Sequence, residues 1–115
     1  MITALHHFST ISSSELSISF YEKLGFRVSF KKDRVKDTVV VMNGRGIQLE
    51  VFIDPSHPKR ACDPENLGLR GLSFKVDDFE DAKTQFECGP VMIDWFGQKY
   101  CITHDPDGLP IQFYE

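Results

Sequence analysis

The chain has 115 residues, enough for one domain that buries about two thirds of its unfolded surface around a single core. Hydrophobic residues make up 41% of it, with 10 phenylalanines, a composition that excludes wholesale disorder. The net charge is −4 without a long basic run, so nucleic acids and anionic membranes are unsuitable partners, because both are bound through Lys and Arg.

The chain also lacks the usual signals for membranes and secretion. No apolar run approaches the roughly 20 residues that a membrane span needs. The first residues lack the basic region and apolar block of a signal peptide. The cysteines Cys62, Cys88 and Cys101 are odd in number and follow no motif spacing, which is typical of free thiols in a reducing compartment. We therefore expect a cytoplasmic protein.

A strand and a helix are predicted first. Residues 3–11 alternate in character and indicate a strand. Ser12 to Glu15 then has the form of a capping box, in which Ser12 is the N-cap and Glu15 reaches back to its amide. The helix that follows is expected to end at Gly25, since glycine is favoured just after the last helical turn.

Three strands are predicted next, over residues 26–30, 38–42 and 47–53. The mixed charges of residues 31–37 are typical of a solvated hairpin tip. Residues 43–46, Asn-Gly-Arg-Gly, provide turn chemistry for the last hairpin.

Residues 54–68 form a long irregular segment that holds three prolines. Its length favours a linker that either crosses between two sheets or covers a binding cavity. His57 lies in this segment, and we expect it to be an exposed loop imidazole rather than a ligand.

The second half repeats the order of elements. A strand over 69–76 precedes a helix capped by Asp77 or Asp78, and strands follow over 91–93, 99–103 and 109–114. The Asp-Pro-Asp-Gly turn at residues 105–108 fixes the start of the last strand.

The two halves also align with each other. Residues 46–53 match residues 108–115, 62 positions later, which places Gln112 at the position of Glu50. The first strand aligns with an offset of 65, which places Gly71 at the position of His6. This duplication predicts an α+β fold of two βαβββ modules in a single domain spanning 1–115, with modules 1–53 and 69–115 and the linker 54–68 between them.

Strand parity predicts where Glu50 points. Leu49 and Val51 share one face of their strand, and Gln48, Glu50 and Phe52 share the other. A carboxylate flanked in this way indicates a semi-polar cavity that holds a metal, a cation or a hydrogen-bonded ligand.

Several motifs carry a resemblance that spans essentially the whole chain. A histidine in the first strand, "FYEKLGF" at 20–26, "QLEVF" at 48–52 and "DPDGLPIQF" at 105–113 together resemble the vicinal oxygen chelate superfamily of glyoxalase I, bleomycin-resistance proteins and extradiol dioxygenases. The resemblance implies a curved mixed sheet with a cleft.

The resemblance also implies a site for one divalent metal, with two ligands from each module, usually His, Glu, His and Glu. The matching positions here are His6, Glu50, Gly71 and Gln112. Nickel, zinc, manganese or iron would act as a Lewis acid, with Glu50 as the catalytic base. Because the third and fourth positions are altered, metal binding is left open.

Alternatives remain for individual residues. His6 could instead be a core histidine bonded to a backbone carbonyl, and parity allows only one of His6 and His7 to point inward. Cys101 and His104 could form a nucleophilic pair, although a buried cysteine is more often packing. The residues expected to line the ligand cleft are aromatic: Phe8, Phe52, Trp95 and Tyr114. Trp95 could equally be a turn anchor.

The resemblance therefore predicts a protein that binds a small molecule in the sheet cleft and carries a degenerate metal site. The alternative is a metal-dependent lyase or isomerase of the glyoxalase type that uses His6, Glu50 and Gln112. A third reading is a dimeric scaffold without a small ligand. Because each module leaves an open sheet edge, we also expect a homodimer.

Overall fold

The computed structural model describes residues 1–115 and divides into two compact units, Met1–Lys59 and Arg60–Glu115. Each unit contains one helix and one four-stranded mixed sheet, with the chain order strand, helix, strand, strand, strand. The predicted α+β class and the two βαβββ modules are therefore confirmed.

The first unit runs through five elements: β1 (Phe8–Ser12), α1 (Leu16–Lys23), β2 (Arg27–Asp33), β3 (Thr38–Gly44) and β4 (Ile47–Ile53). Its sheet has the order β1-β4-β3-β2. The first and last of these strands run parallel, and the other pairs are antiparallel. The parallel pairing requires the helical crossover that α1 provides.

The hairpin between β3 and β4 has a two-residue turn. Arg45 and Gly46 both have positive φ, 52° and 76°. This combination is typical of a type I′ turn, whose twist matches that of the flanking strands. The turn therefore fixes the register of β4, in which Glu50 lies opposite Val41.

The core of the first unit lies on one face of its sheet. Val40, Met42, Leu49 and Val51 are at most 2% exposed. A slip of one residue would expose them, at about 1.5–3 kcal/mol for each large side chain, so the register is strongly specified. The Ser12 hydroxyl on this face hydrogen-bonds to Ser17 of α1, which places the helix over the core.

The second unit repeats this order with β5 (Leu72–Lys75), α2 (Phe79–Gln85), β6 (Met92–Ile93), β7 (Lys99–His104) and β8 (Pro110–Tyr114). The sheet order is β5-β8-β7-β6, and β5 runs parallel to β8. Its buried apolar side chains are Phe79, Ala82, Phe86, Cys101, Ile111 and Phe113. The buried Thr103 hydroxyl donates a 2.6 Å hydrogen bond to the Phe86 carbonyl oxygen, joining β7 to the end of α2.

The two helices begin differently. Asp78 caps α2, and its carboxylate accepts a 3.0 Å hydrogen bond from the Asp81 amide, as predicted. The capping box predicted for α1 is wrong, since Ser12 ends β1 opposite Ile53 and the N-cap is Glu15, without a side-chain cap bond. The Glu15 carboxylate pairs with the Lys31 ammonium instead, at 2.7 Å.

Several boundaries differ from those predicted. The first strand begins at Phe8 rather than at residue 3, and the fifth at Leu72 rather than at residue 69. The β2–β3 hairpin is longer than expected, because pairing continues to Asp33 and Thr38. None of the helices is long and apolar enough to cross a membrane.

Candidate functional site

The first sheet has an open face opposite its core. From Gln48 onward the burial on β4 alternates: Gln48, Glu50 and Phe52 are half-buried, whereas Leu49, Val51 and Ile53 are buried. Ser9 and Ile11 of β1 are the cross-strand partners of Glu50 and Phe52 and lie on the same face. The predicted orientation of Glu50 is therefore confirmed.

The histidine that meets Glu50 is His7. Its Nε2 lies 3.2 Å from Glu50 Oε1, and both side chains are partly buried, 31% and 23% exposed. His6 is exposed, and its Nδ1 lies 2.7 Å from His7 Nδ1. Because Ser9 pairs with Glu50, strand alternation puts the residue two positions earlier on the same face. The predicted register, which placed His6 beside Glu50, is thus displaced by one residue.

The register of the second sheet shows the matching position. Ser73 pairs with Gln112 as Ser9 pairs with Glu50, so the first strands align 64 positions apart (9 to 73) rather than 65. With this alignment, Gly71 of the second unit occupies the position that His7 occupies in the first.

Gly71 leaves no room for a side chain. A Cβ built on its backbone would lie 2.3 Å from the Pro110 carbonyl oxygen and 3.1 Å from the Pro110 carbonyl carbon. Real Cβ atoms do not approach backbone this closely, so any other residue requires the strand to shift. Glycine at this position serves the close approach of β5 and β8.

Gln112 lies on the open face of the second sheet, where its amide oxygen is already bonded. Ser73 Oγ donates to Gln112 Oε1 at 3.0 Å. Beside it, Tyr100 and Tyr114 stack with ring centroids 5.2 Å apart. Burial, followed by the Asp94 charge and Tyr100, raises the pKa of Tyr114. This face therefore surrounds Gln112 with Ser73, the tyrosine pair and Ile102, and Lys75 lies beside Tyr114.

These donors do not fit the four-ligand metal site that the resemblance implies. His7 and Glu50 offer one imidazole and one carboxylate, Gly71 offers no donor, and the Gln112 oxygen is neutral and bonded to Ser73. Divalent metal sites in proteins rest on three or more strong ligands or on several carboxylates. Nowhere in the structure do three or more His, Cys, Asp or Glu side chains form a group that could hold a metal ion.

The aromatic residues predicted to line a ligand site are distributed unequally. Phe52 lies on the open face of the first sheet, and Tyr114 lies on that of the second. Trp95 is 98% exposed in the turn before β7. Phe8 pairs with the buried Leu49 and so lies on the core face, which removes it from a site on the open face.

A pocket of about 420 Å³ opens at the Phe52 end of the first sheet. The residues that line it come from β1, β4, the β2–β3 hairpin tip and the segment after β4: Ser9, Thr10, Ile11, Arg34, Lys36, Asp37, Phe52, Asp54 and His57. This volume lies within the range of small-ligand sites.

One side of the pocket is the hairpin tip. Arg34 Nε and Nη2 donate to the two carboxylate oxygens of Asp37 at 2.6 and 2.7 Å. The Arg34 guanidinium also lies 5.6 Å from the centroid of the Phe52 ring, a cation–π distance. The bonds from Arg34 hold the pKa of Asp37 below its usual range. Arg34 thus holds the tip against Phe52 of the sheet, while residues 31–36 are exposed as predicted.

The opposite side is the start of the segment after β4. Asp54 Oδ1 accepts hydrogen bonds from the Ser56 hydroxyl at 2.7 Å and the Ser56 amide at 2.9 Å. His57 Nδ1 lies 3.2 Å from Asp54 Oδ2. The Ser56 bonds, helped by the charges of His57 and Lys36, lower the pKa of Asp54.

The pocket residues Arg34, Lys36, Asp54 and His57 were not foreseen as a site. Residues 31–36 and His57 are exposed, as predicted for a solvated tip and a loop imidazole, but the sequence does not show that they meet at one pocket. The tip and this loop meet only through the folded sheet, so no spacing along the chain reveals them. The local signal available in the sequence was Asp54-x-Ser56, which forms an Asx-type turn directly after β4.

The nucleophile hypothesis for Cys101 and His104 finds no geometric support. Cys101 is fully buried opposite Phe113, whereas His104 is exposed at the end of β7. Desolvation, together with a hydrogen bond to Cys101, raises the pKa of Cys88 to about 12. A reactive cysteine requires a lowered pKa and access, so these thiols act as packing.

Known proteins resemble this chain over nearly its whole length. It is 34% identical to the uncharacterized protein YaeR of Escherichia coli (strain K12), covering 96% of this chain and 95% of YaeR. The crystal structure of a glyoxalase family protein from Enterococcus faecalis is 34% identical and superimposes with a TM-score of 0.87, covering 98% of both chains. A bleomycin-binding protein in complex with bleomycin, at 17% identity and a TM-score of 0.65 over 98% of both chains, shares the fold.

The sequence model of the Glyoxalase/Bleomycin resistance protein/Dioxygenase superfamily matches residues 4–113. That match extends from before β1 to the last residues of β8, so it includes both βαβββ units. The chain belongs to the glyoxalase/bleomycin resistance protein/dioxygenase superfamily.

Proposed function

We propose that this chain binds a small organic molecule on the open face of its first sheet and carries no resident divalent metal. The observation that carries the proposal is Gly71, which stands where the family's third ligand belongs and has no space for a side chain. A metal at His7 and Glu50 would have to draw its remaining ligands from water or from the small molecule.

The open face of the first sheet has the features of a ligand site. The pocket combines an apolar floor with a few fixed polar groups, the arrangement that orients small ligands in known sites. The His7–Glu50 pair lies on the same face, one cross-strand pair from Phe52. Both ring nitrogens of His7 are engaged, by Glu50 and by His6, so the pair offers the remaining lone pairs of the Glu50 carboxylate as acceptors for a polar substituent on the ligand.

The relatives support this reading at the level of the fold. The bleomycin-binding protein uses the same architecture to hold a small molecule. Because the two sequences are only 17% identical, bleomycin cannot be assigned as the ligand of this chain. The site of this chain must therefore be argued from its own residues.

Metal response separates this proposal from its rival. Purified protein is analysed for bound metals, and its melting temperature is measured with nickel, manganese, zinc and iron. A metal present at a hundred times its dissociation constant would add about 2.7 kcal/mol of stability. We expect no such rise, and we expect wild type and Glu50→Gln to respond alike.

The rival function is a metal-dependent lyase or isomerase, and the 3.2 Å contact between His7 and Glu50 favours it. In that case a divalent metal should raise the melting temperature of the wild type. Glu50→Gln and His7→Ala should abolish the rise, whereas Glu22→Gln, on the exposed surface of α1, should preserve it. That result would overturn the metal-free proposal.

We also propose a cytoplasmic homodimer. The second unit exposes large apolar side chains around β6 and the turn after it, with Ile93 62%, Trp95 98% and Phe96 89% exposed. Exposed apolar side chains grouped in this way are typical of association surfaces. Light scattering should give twice the chain mass of 13.2 kDa, and a monomer at micromolar concentration would contradict the dimer.

A further inference from the structure

We propose that the pocket of the first unit is specific for a small aromatic organic acid. Its carboxylate would bind at Lys36, and its ring would lie on Ile11 beside the Phe52 ring, over which the Arg34 guanidinium lies. This inference rests on the proposed function, because it names the ligand class for the same open face.

The acceptors of the pocket are already engaged. Asp37 receives two hydrogen bonds from Arg34, and its side chain is 7% exposed. Asp54 receives two hydrogen bonds from Ser56 and lies against His57. A cationic ligand would have to compete with these partners for two carboxylates whose side chains are only 7% and 15% exposed. The pocket therefore disfavours amines.

The donors of the pocket are in excess. Lys36 is exposed and forms no hydrogen bond or ion pair with another residue, although its charge lies close enough to lower the pKa of Asp37 and Asp54. Arg34 directs two N–H groups at Asp37, and a guanidinium has five. A ligand that brings one carboxylate would match the free ammonium and these spare donors.

The floor of the pocket suits a flat ring. Ile11 and Phe52 are direct cross-strand partners, so their side chains adjoin on the open face. Ile11 is 54% exposed, unusual for a strand isoleucine, and a ligand that covers it would remove apolar surface from water. The Ser9 hydroxyl borders the same floor.

Matched probes test both the charge and the ring. Binding of phenylacetate, of its neutral isostere phenylacetamide and of benzylamine is measured by amide NMR titration of the full chain. Phenylacetate should bind about tenfold more tightly than phenylacetamide, equivalent to about 1.4 kcal/mol. Benzylamine should bind least, and added salt should narrow the difference, because the contact is partly exposed.

Variants locate the effect. Lys36→Gln should reduce phenylacetate affinity to about that of phenylacetamide while leaving phenylacetamide binding unchanged. Lys36→Arg should retain the preference for the acid. The matched control is Lys59→Gln, an exposed lysine of the same unit that does not line the pocket, and it should behave as wild type.

The outcomes separate this inference from the proposed function. If phenylacetamide or benzylamine binds as tightly as phenylacetate, or if Lys36→Gln keeps the preference, the organic-acid inference is wrong. Shifts at Ile11 and Phe52 with those probes would still support binding on the open face. If none of the three probes shifts any amide of the first unit, the inference fails, and a wider fragment library without shifts there would overturn the proposed function as well.

Discussion

The two sheets share a topology but differ in what their open faces carry. The first presents the His7–Glu50 pair and a pocket rimmed by four charged side chains and His57. The second presents Gly71, the Ser73–Gln112 hydrogen bond and a stacked tyrosine pair. In a duplicated fold the buried rows preserve the architecture, while the open rows are free to diverge. The two open faces can therefore differ in chemistry although the two sheets share one topology.

The divergence at Gly71 is structural and not merely chemical. His7 directly precedes β1, and its side chain reaches Glu50. At Gly71 the backbone lies so close to Pro110 that the position has become part of the packing between β5 and β8. Restoring a ligand there would first require the two strands to separate.

The largest effect is expected at this contact. Gly71→Ala should lower the free energy of unfolding by about 1–3 kcal/mol, the usual cost of overpacking, because its Cβ meets a backbone oxygen that cannot move alone. Gly89→Ala is the control, since its Cβ would meet only the Ile102 carbonyl oxygen at 3.8 Å. Urea unfolding measures both. Equal stability of Gly71→Ala and wild type would show that the second sheet has room for a ligand after all.

The N-termini of the two helices also differ, and smaller effects on stability are expected there. Asp78→Ala should cost about 1 kcal/mol, because the Asp81 amide loses its cap, whereas Asp78→Asn should cost little. The N-cap residue of the other helix offers a contrast: Glu15→Ala removes only an exposed ion pair and should cost less than Asp78→Ala. Thermal unfolding of the three variants checks the order, and an Asp78→Asn loss equal to that of Asp78→Ala would contradict the capping role.

The register of the first sheet is testable by a double-mutant cycle. His7→Ala and Glu50→Gln should be coupled by about 0.5 kcal/mol, since their contact is partly exposed. The matched cycle with His6→Ala should show weaker coupling, because His6 bonds to His7, and it is His7 that meets the Glu50 carboxylate. Stronger coupling of Glu50 with His6 than with His7 would restore the register predicted from the sequence.

The loss of folding stability at acid pH (the acid limb of the stability curve) should depend on the pocket carboxylates. The pKa of Asp54 is lowered in the folded protein, so its contribution is complete above the ordinary aspartate value of about 4 and is lost as the pH falls through the lower folded value. Asp54→Asn should flatten the fall in urea midpoint between neutral pH and pH 3. An unchanged slope in this variant would indicate that other carboxylates govern the acid limb.

The sequence predicted the parts of the fold that depend on local pattern. The alternation of Leu49, Glu50 and Val51 and the glycine turn before them gave the fourth strand its correct bounds and faces. The capping-box prediction was wrong because Ser12 pairs with Ile53 as the last residue of β1. Its hydroxyl hydrogen-bonds to the Ser17 side chain instead of capping α1. A local sequence motif cannot show that a residue will instead pair with a strand far along the chain.

The candidate site was less predictable. The offset of the first strands was misjudged by one position, since two adjacent histidines fit the pattern and only the pairing of Ser9 with Glu50 decides between them. The pocket was missed because Arg34 and Asp54 come from different connections and meet only through the sheet. The close approach of Gly71 to Pro110 is likewise a property of the folded backbone.

A single amide NMR titration with phenylacetate most directly tests whether the first sheet carries the binding chemistry. The largest shifts should fall on Ile11, Phe52 and residues 34–37, and the amides of Ser73, Gln112 and Tyr114 should remain unchanged. Shifts centred on those three residues of the second unit, or no shift at any residue, would contradict ligand binding on the first sheet.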